Sequence, residues 1–227
     1  MHAWPYGDPA KAPARAPLHV GGTLGVDLLL AAYRHGVFPW YSDDEPVQWW
    51  CPNPRFVLIP GELRVTGSLR KTLRKPGWRI TLDQDFEGVM RRCAAVPRPG
   101  QDGTWITEEM IAAYVALHRQ GHAHSVEVTW EGELVGGLYG VSIGRVFHGE
   151  SMFHTRTDAS KVGFVALVRR LRTAGYVLVD CQMPTAHLAS FGAGAARRAD
   201  FLAVLAAERD RAPSADAWVS PLSSDAP

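Results

Sequence analysis

The 227-residue chain is 46% hydrophobic and 21% charged, with a formal net charge of +1, the balance of an ordinary globular protein long enough to bury a core. A charge so near zero excludes a bulk field for nucleic acid, so any such binding has to come from a local patch. Three scattered cysteines, Cys51, Cys93 and Cys181, exclude a disulfide framework or a CxxC pair, no apolar run could span a bilayer, and residues 1–17 lack the apolar stretch of a signal peptide, so a soluble cytoplasmic protein is expected.

Residues 1 to about 18 suggest a loose leader. Val26 to Gly36 is predicted helical, because Leu28, Leu29, Ala32 and Tyr33 recur at helical spacing and Gly36 stands where a terminating glycine would. Two Pro-punctuated aromatic pieces follow, Phe38-Pro39-Trp40-Tyr41 and Trp49-Trp50-Cys51-Pro52-Asn53-Pro54-Arg55. They cannot be regular helix and are expected to be loops that line something. From Glu62 to Arg79 six cations face one acid, a local charge of +5, around a short helix over Ser68 to Arg74.

Thr107 is placed to cap a helix whose first turn carries Glu108 and Glu109, and Gly121 ends it. Ser125 to Trp130 is a predicted strand. Leu134 to Ile143 and Arg145 to Phe153 are predicted as a hairpin around Gly144. Asp158 or Ser160 is placed to cap a helix with Val162, Val165, Val168 and Leu171 on one side, Tyr176 to Cys181 is a buried strand, and a last helix covers Asp200 to Arg209. The tail 213–227, rich in Pro, Ser, Ala and Asp, is expected to fray. The order of elements predicts an α+β fold: a small N-terminal domain over 1–61 and a larger sheet domain over 62–212.

The apolar strand Val177-Leu178-Val179 delivers Asp180, and period-2 alternation puts Asp180 and Gln182 on one face. Taken alone, a strand-end Asp is more often a capping or structural residue. On the other strand His148, Glu150 and Met152 share a face by the same rule. If Glu150 and Asp180 meet across neighbouring strands, two carboxylates and an amide could orient the protons of an amine. His118, His122 and His124 form an incomplete metal motif without the Glu of HExxH, so no metal site is expected. The glycines follow no dinucleotide or P-loop pattern, and neither Cys181 nor Ser190 sits in a nucleophile elbow. The basic stretch is by composition alone better explained as a solvated face.

Several long motifs in order resemble the leucyl/phenylalanyl-tRNA–protein transferases. They are Gly36 to Tyr41, Trp49 to Arg55, Gly103-Thr104-Trp105-Ile106-Thr107, Gly121 to Glu127, Glu133 to Gly140, Gly149 to Phe153, Ala159-Ser160-Lys161, and Asp180-Cys181-Gln182 followed by His187. Asp158 stands where that family usually has Asn, and Met183-Pro184-Thr185 replaces its usual segment after Gln182. The resemblance implies an acetyltransferase-like (GNAT-like) larger domain. It implies transfer of Leu or Phe, and less readily Met, from aminoacyl-tRNA to proteins that begin with Arg or Lys, marking them for N-end-rule degradation. It implies no cofactor and no metal, and a monomer is expected.

On that basis Asp180, Gln182 and Glu150 are the expected catalytic residues. Trp49, Trp105, Met152 and Phe153 are the expected aminoacyl pocket, and Arg70, Lys71, Arg74 and Lys75 the expected tRNA phosphate contacts. Two other readings stand beside this one. One is a CoA-dependent N-acetyltransferase, for which the sequence lacks a pyrophosphate loop. The other is a non-catalytic RNA-binding module.

Overall fold

The computed structural model describes residues 3–96 and 104–222. Met1 and His2 of the leader, Gly103 of the Gly-Thr-Trp-Ile-Thr motif and the tail from residue 223 lie outside the described residues.

Two sheets form. The smaller takes β1 (His19–Val20), β2 (Phe38–Pro39) and β3 (Gln48–Trp50) in the order β1-β3-β2, with α1 (Val26–Arg34) between β1 and β2 in sequence. The larger has seven strands: β4 (Arg55–Leu58), β5 (Trp78–Leu82), β6 (Ala123–Trp130), β7 (Glu133–Ile143), β8 (Val146–His154), β9 (Leu178–Gln182) and β10 (Gly194–Ala196), in the order β10-β4-β9-β8-β7-β6-β5. Every neighbouring pair is antiparallel except β8 and β9, which run parallel. The helices α2 (Gly67–Leu73), α3 (Phe86–Ala94), α4 (Glu108–Arg119), α5 (Ala159–Thr173), α6 (Ala186–Ser190) and α7 (Arg198–Glu208) complete a mixed α+β fold.

Two apolar cores result. One gathers buried residues of α1, α3, α4 and α7 with the smaller sheet, and the other gathers α2 and α5. The helices start where local chemistry predicts. Thr107 accepts from the backbone N–H of Met110 at 3.2 Å, and Thr66 and Asp85 cap α2 and α3 in the same way. Gly36 follows α1 at φ +75°, and a Cβ there would meet Phe201 and Leu202 at 2.8 and 2.7 Å, so both the backbone and the packing require glycine. Asp158 stands at the start of α5 but makes no capping bond. Its carboxylate is engaged by the Lys161 ammonium at 2.7 Å instead.

The structure departs from the sequence pattern in four places. The aromatic pieces expected to be loops contain β2, β3 and the start of β4, and β4, which precedes residue 62, lies inside the larger sheet between β10 and β9. In β8, Ser151 pairs with Tyr139 and Gly149 with Gly140, so Glu150 is an extra, bulged residue. A bulge shifts the alternation that follows it. Met152 therefore packs toward the α5 core and Phe153 is buried in the other core, and Glu150 and Met152 do not share a face.

Much of the leader is packed rather than loose: Trp4 meets Trp49 edge-on at 5.3 Å and Ala12 is buried. The tail does not fray over its described part. Trp218 stacks on His124 at 3.8 Å, and Leu222 bridges to Ile80 of β5. No helix among the described residues is long and apolar enough to cross a membrane.

Candidate active site

Parallel β8 and β9 pair only over Val146–His148 and Leu178–Asp180. Past those residues the strands part, and a cavity of about 680 Å³ opens between them. From β8 it is lined by Glu150, Met152 and Phe153, and from β9 by Val179, Cys181 and Gln182. Leu138, Phe147, Phe164 and Leu188 make its walls apolar, and Trp40, Trp105 and Met183 also face it. A concave apolar site with a few convergent polar groups is the usual form of a small-molecule or substrate pocket. Glu150 is the one carboxylate among the described residues that line it.

Behind the cavity sits a buried charge cluster. Asp180 is 0% exposed, as is Arg55. The Arg55 guanidinium donates through Nε to Oδ1 at 2.7 Å and through Nη2 to Oδ2 at 2.6 Å, a two-point fit that a planar fork makes well. Its faces are covered by Phe38 and Phe201 at 4.7 and 4.6 Å. His148 Nδ1 lies 2.7 Å from Asp180 Oδ2, and the ionised carboxylate can only accept, so that nitrogen carries the proton. Burial alone would raise the Asp180 carboxyl, but the charge and hydrogen bonds of Arg55, with those of His148, outweigh it and hold the group well below the usual carboxylate range.

Glu150 is tuned the other way. Burial lifts it, the Asp180 charge adds to the lift, and hydrogen bonds from Tyr33 and Gln182 offset only part, leaving it at about 7. Tyr33 OH donates to Glu150 Oε1 at 2.6 Å, Tyr114 OH lies 3.5 Å from Oε2, and the two phenols bond to each other. Burial and the nearby Glu150 charge push both phenols well above their ordinary range. Gln182 Nε2 donates to Glu150 Oε1 at 2.7 Å. Gln182 has a left-handed backbone, φ +59°, and its own N–H donates to Asp180 Oδ1 at 3.0 Å. Cys181 is the bulged residue of β9, since Val57 pairs with Asp180 and Phe56 with Gln182. Burial pushes its thiol far up, out of the range of a nucleophile.

The structure brings Glu150, Gln182, Trp105, Met152 and Phe153 to one cavity. Asp180 touches it only through the Gln182 backbone, since its carboxylate is spent on Arg55 and His148. Trp49 is not part of it. Trp49 is 0% exposed and packs in the core, with Nε1 donating to the carbonyl of Gly21 at 2.9 Å. Beside Trp105, the tryptophan that lines the cavity is Trp40, 37% exposed and tilted against Trp50 at 5.2 Å. It lies in the Phe38-Pro39-Trp40-Tyr41 piece, and its signal was the break in strand pattern that Pro39 imposes.

Arg55, Tyr33 and Tyr114 were also missed, although an arginine entering an apolar strand is a sign of a buried partner. Arg70, Lys71, Arg74 and Lys75 are exposed on and just after α2, away from this cavity's lining. Among the described residues no group of three or more His, Cys, Asp or Glu side chains could hold a metal ion.

A family model described as leucyl/phenylalanyl-tRNA protein transferase matches residues 57–206, and one for that family's N-terminal domain matches residues 22–53. The chain belongs to the leucyl/phenylalanyl-tRNA protein transferase family. It is 57% identical over 202 residues to the leucyl/phenylalanyl-tRNA–protein transferase of Pseudomonas fluorescens (strain Pf0-1), covering 89% of this chain and 88% of that one. It is 55% identical over 213 residues to the transferase of Stutzerimonas stutzeri (strain A1501), covering 92% and 93%. It is 54% identical over 204 residues to that of Solidesulfovibrio magneticus, covering 90% and 83%. Among solved structures, a GCN5-related N-acetyltransferase from Kribbella flavida aligns with a TM-score of 0.36 at 11% identity, over 73% of this chain and 58% of that one, a likeness too distant to argue from. The gap between the two family models, after residue 53 and before residue 57, falls where β4 enters the larger sheet.

Proposed function

We propose that this chain transfers Leu or Phe, and less readily Met, from the ester of aminoacyl-tRNA to the α-amine of an acceptor protein that begins with Arg or Lys. Such tagging directs the acceptor to degradation, in the cytoplasm where charged tRNA is made. The observation that carries the reading is the placement of Glu150: a carboxyl raised to about 7 at the wall of an apolar cavity, in a chain of this family.

The chemistry is aminolysis of an activated ester, so alignment supplies much of the rate. The aminoacyl side chain enters the apolar cup of Met152, Phe153, Leu138 and Phe164, with Trp40 and Trp105 flanking the ester end. The acceptor amine, with an unperturbed pKa of about 8, gives up a proton as its nitrogen attacks the ester carbonyl. Glu150 takes that proton and returns it to the departing ribose oxygen. Gln182 holds Glu150 through its amide and orients the amine. Asp180, fixed by Arg55 and His148, holds the Gln182 backbone and acts through it.

The deciding experiment mixes the protein with labelled Leu-tRNA and a peptide beginning with Arg, and a control peptide beginning with Ala. A Leu-Arg product from the first alone supports the reading. Absence of transfer to either peptide, with intact charged tRNA, overturns it.

A further inference from the structure

The segment Thr155–Asp158 joins His154 and Ser160, which line the cavity described above, and itself lines a second cavity of about 370 Å³. Opposite it stand Lys75, just beyond α2, and Trp78 of β5. The groups facing this space are mostly hydrogen-bond donors. The Arg156 guanidinium lies 4.1 Å from the ring centre of Trp130 and 5.9 Å from that of Trp78. The two indoles pair across β5 and β6, edge to face at 4.6 Å, and Trp78 Nε1 is tied to the Thr72 carbonyl at 2.8 Å. This makes a fixed platform.

Stacking occupies the face of a guanidinium and leaves its in-plane N–H groups free. Among the described residues Arg156 and Lys75 make no ion pair, and Thr157 makes no hydrogen bond. The one acid in the wall, Asp158, is held by Lys161 at 2.7 Å, and Thr155 donates to the Val135 carbonyl at 3.3 Å. What remains is a guanidinium fork, an ammonium and a hydroxyl, a set that suits an anion with several oxygens. Arg70, Lys71 and Arg74 carry the positive surface onward along α2, also without ion pairs among the described residues.

We propose that this second cavity binds a phosphodiester of the donor tRNA near its esterified 3′ end, with Arg156 as the fork that meets two phosphate oxygens and Lys75 and Thr157 beside it. The inference rests on the aminoacyl-tRNA reading of the neighbouring cavity. It adds Arg156 to the donor-binding surface and says where the basic strip joins the reactive site: at the segment 155–158, which lines the second cavity and is flanked by His154 and Ser160 of the first.

The test compares wild type, Arg156→Ala and Arg156→Lys for binding of Leu-tRNA over a salt series, and for inhibition by a phosphate-free aminoacyl-adenosine analogue. Each lost phosphate contact lowers the slope of log affinity against log salt by about 1. Arg156→Ala is expected to lower that slope by about 1 and to weaken tRNA binding several-fold at low salt, with inhibition by the analogue unchanged. Arg156→Lys is expected to keep the slope while losing part of the affinity.

An unchanged slope in Arg156→Ala, or an equal loss for tRNA and analogue, overturns the proposal. Failure of the wild type to transfer from bound Leu-tRNA would instead overturn the transferase reading, and it leaves the slope comparison intact as a separate result.

Discussion

Gln182 stands between two carboxyls: its side-chain amide donates to Glu150 Oε1 at 2.7 Å, and its backbone N–H donates to Asp180 Oδ1 at 3.0 Å. The two acids are driven apart in acidity. Asp180 is held far down by Arg55 and His148 against its burial, and Glu150 is lifted by burial to about 7. Where two neighbouring acids are separated in this way, the raised one is the group able to exchange a proton near neutral pH. The lowered one is a fixed charge.

In the proposed reaction the proton step falls to Glu150, and that role predicts a pH dependence. A general base works only when ionised, so kcat/KM for transfer is expected to rise with pH through an apparent pKa of about 7. Glu150→Gln should lower kcat by roughly 10²–10⁴-fold and abolish that limb, leaving the titration of the acceptor amine near pH ~8. The pH–rate profile of both forms is the measurement. A limb that survives unchanged in Glu150→Gln means that another group carries the proton. The stability of the fold carries the same signature with its own sign. The carboxyl is raised in the folded state, so its contribution is fully present below the unfolded value near 4.5 and is lost as pH rises through about 7.

Asp180 is expected to behave as structure. It and Arg55 are 0% exposed and bonded at two points. Removing either partner leaves a buried charge alone, a loss of about 3–5 kcal/mol. Arg55→Ala and Asp180→Ala should each lower the midpoint of chemical denaturation, and the double variant should lose less than the sum. Arg55→Lys cannot restore the fork. The folded-state carboxyl is depressed, so its stabilisation is present above the unfolded pKa near 4 and is lost as pH falls through the folded value. Asp180→Asn should therefore flatten the acid limb of unfolding. Denaturation curves for Asp180→Ala that match wild type would contradict this role.

Two tryptophans separate pocket from core. Trp40 is 37% exposed at the cavity and Trp49 is 0% exposed beneath it. Trp40→Ala is expected to raise KM for the donor or lower kcat while stability changes by less than about 1 kcal/mol, as for an exposed site. Trp49→Ala opens a void in the core and should cost about 3–5 kcal/mol. Steady-state kinetics paired with thermal melts checks both, and the reverse pattern would return Trp49 to the pocket.

The sequence made the local features legible and the non-local ones obscure. The cap at Thr107, the helix after it and the β7–β8 hairpin each depend on residues within a few positions of one another, and they stand where the periodicity puts them. Asp180 could be found, because an acid at the end of Leu178-Val179 is anomalous by itself. Its partner Arg55 lies 125 positions away, and nothing in either stretch names the other.

The bulges at Glu150 and Cys181 arise from the register of neighbouring strands. Counting by twos therefore put Glu150 and Met152 on one face when packing separates them. Trp40 and Trp49 lie in adjacent aromatic pieces that composition cannot rank. Only the fold says which one faces the cavity.

The described part of the C-terminal segment, up to Leu222, is packed by contacts that are equally non-local, and it carries the last prediction. Its composition is that of a frayed tail, yet a few apolar and polar anchors hold it. Trp218 lies flat on His124 at 3.8 Å with the planes 2° apart, and its Nε1 donates to Tyr176 OH at 3.0 Å. Ser220 Oγ accepts from Leu82 N–H at 3.2 Å, and Leu222 N–H donates to the Ile80 carbonyl at 3.0 Å. The segment thus supplies partners to β5, the edge strand of the larger sheet, and an uncovered edge is open to pairing with another chain.

Trp218→Ala removes the stacking area of a half-buried side chain and leaves the Tyr176 hydroxyl short of a donor, a loss of about 1–3 kcal/mol. Hydrogen exchange at Ile80 and Leu82 should accelerate in this variant ahead of exchange in β7 and β8. Exchange at β5 that stays at the wild-type rate would mean the edge is held by β6 alone.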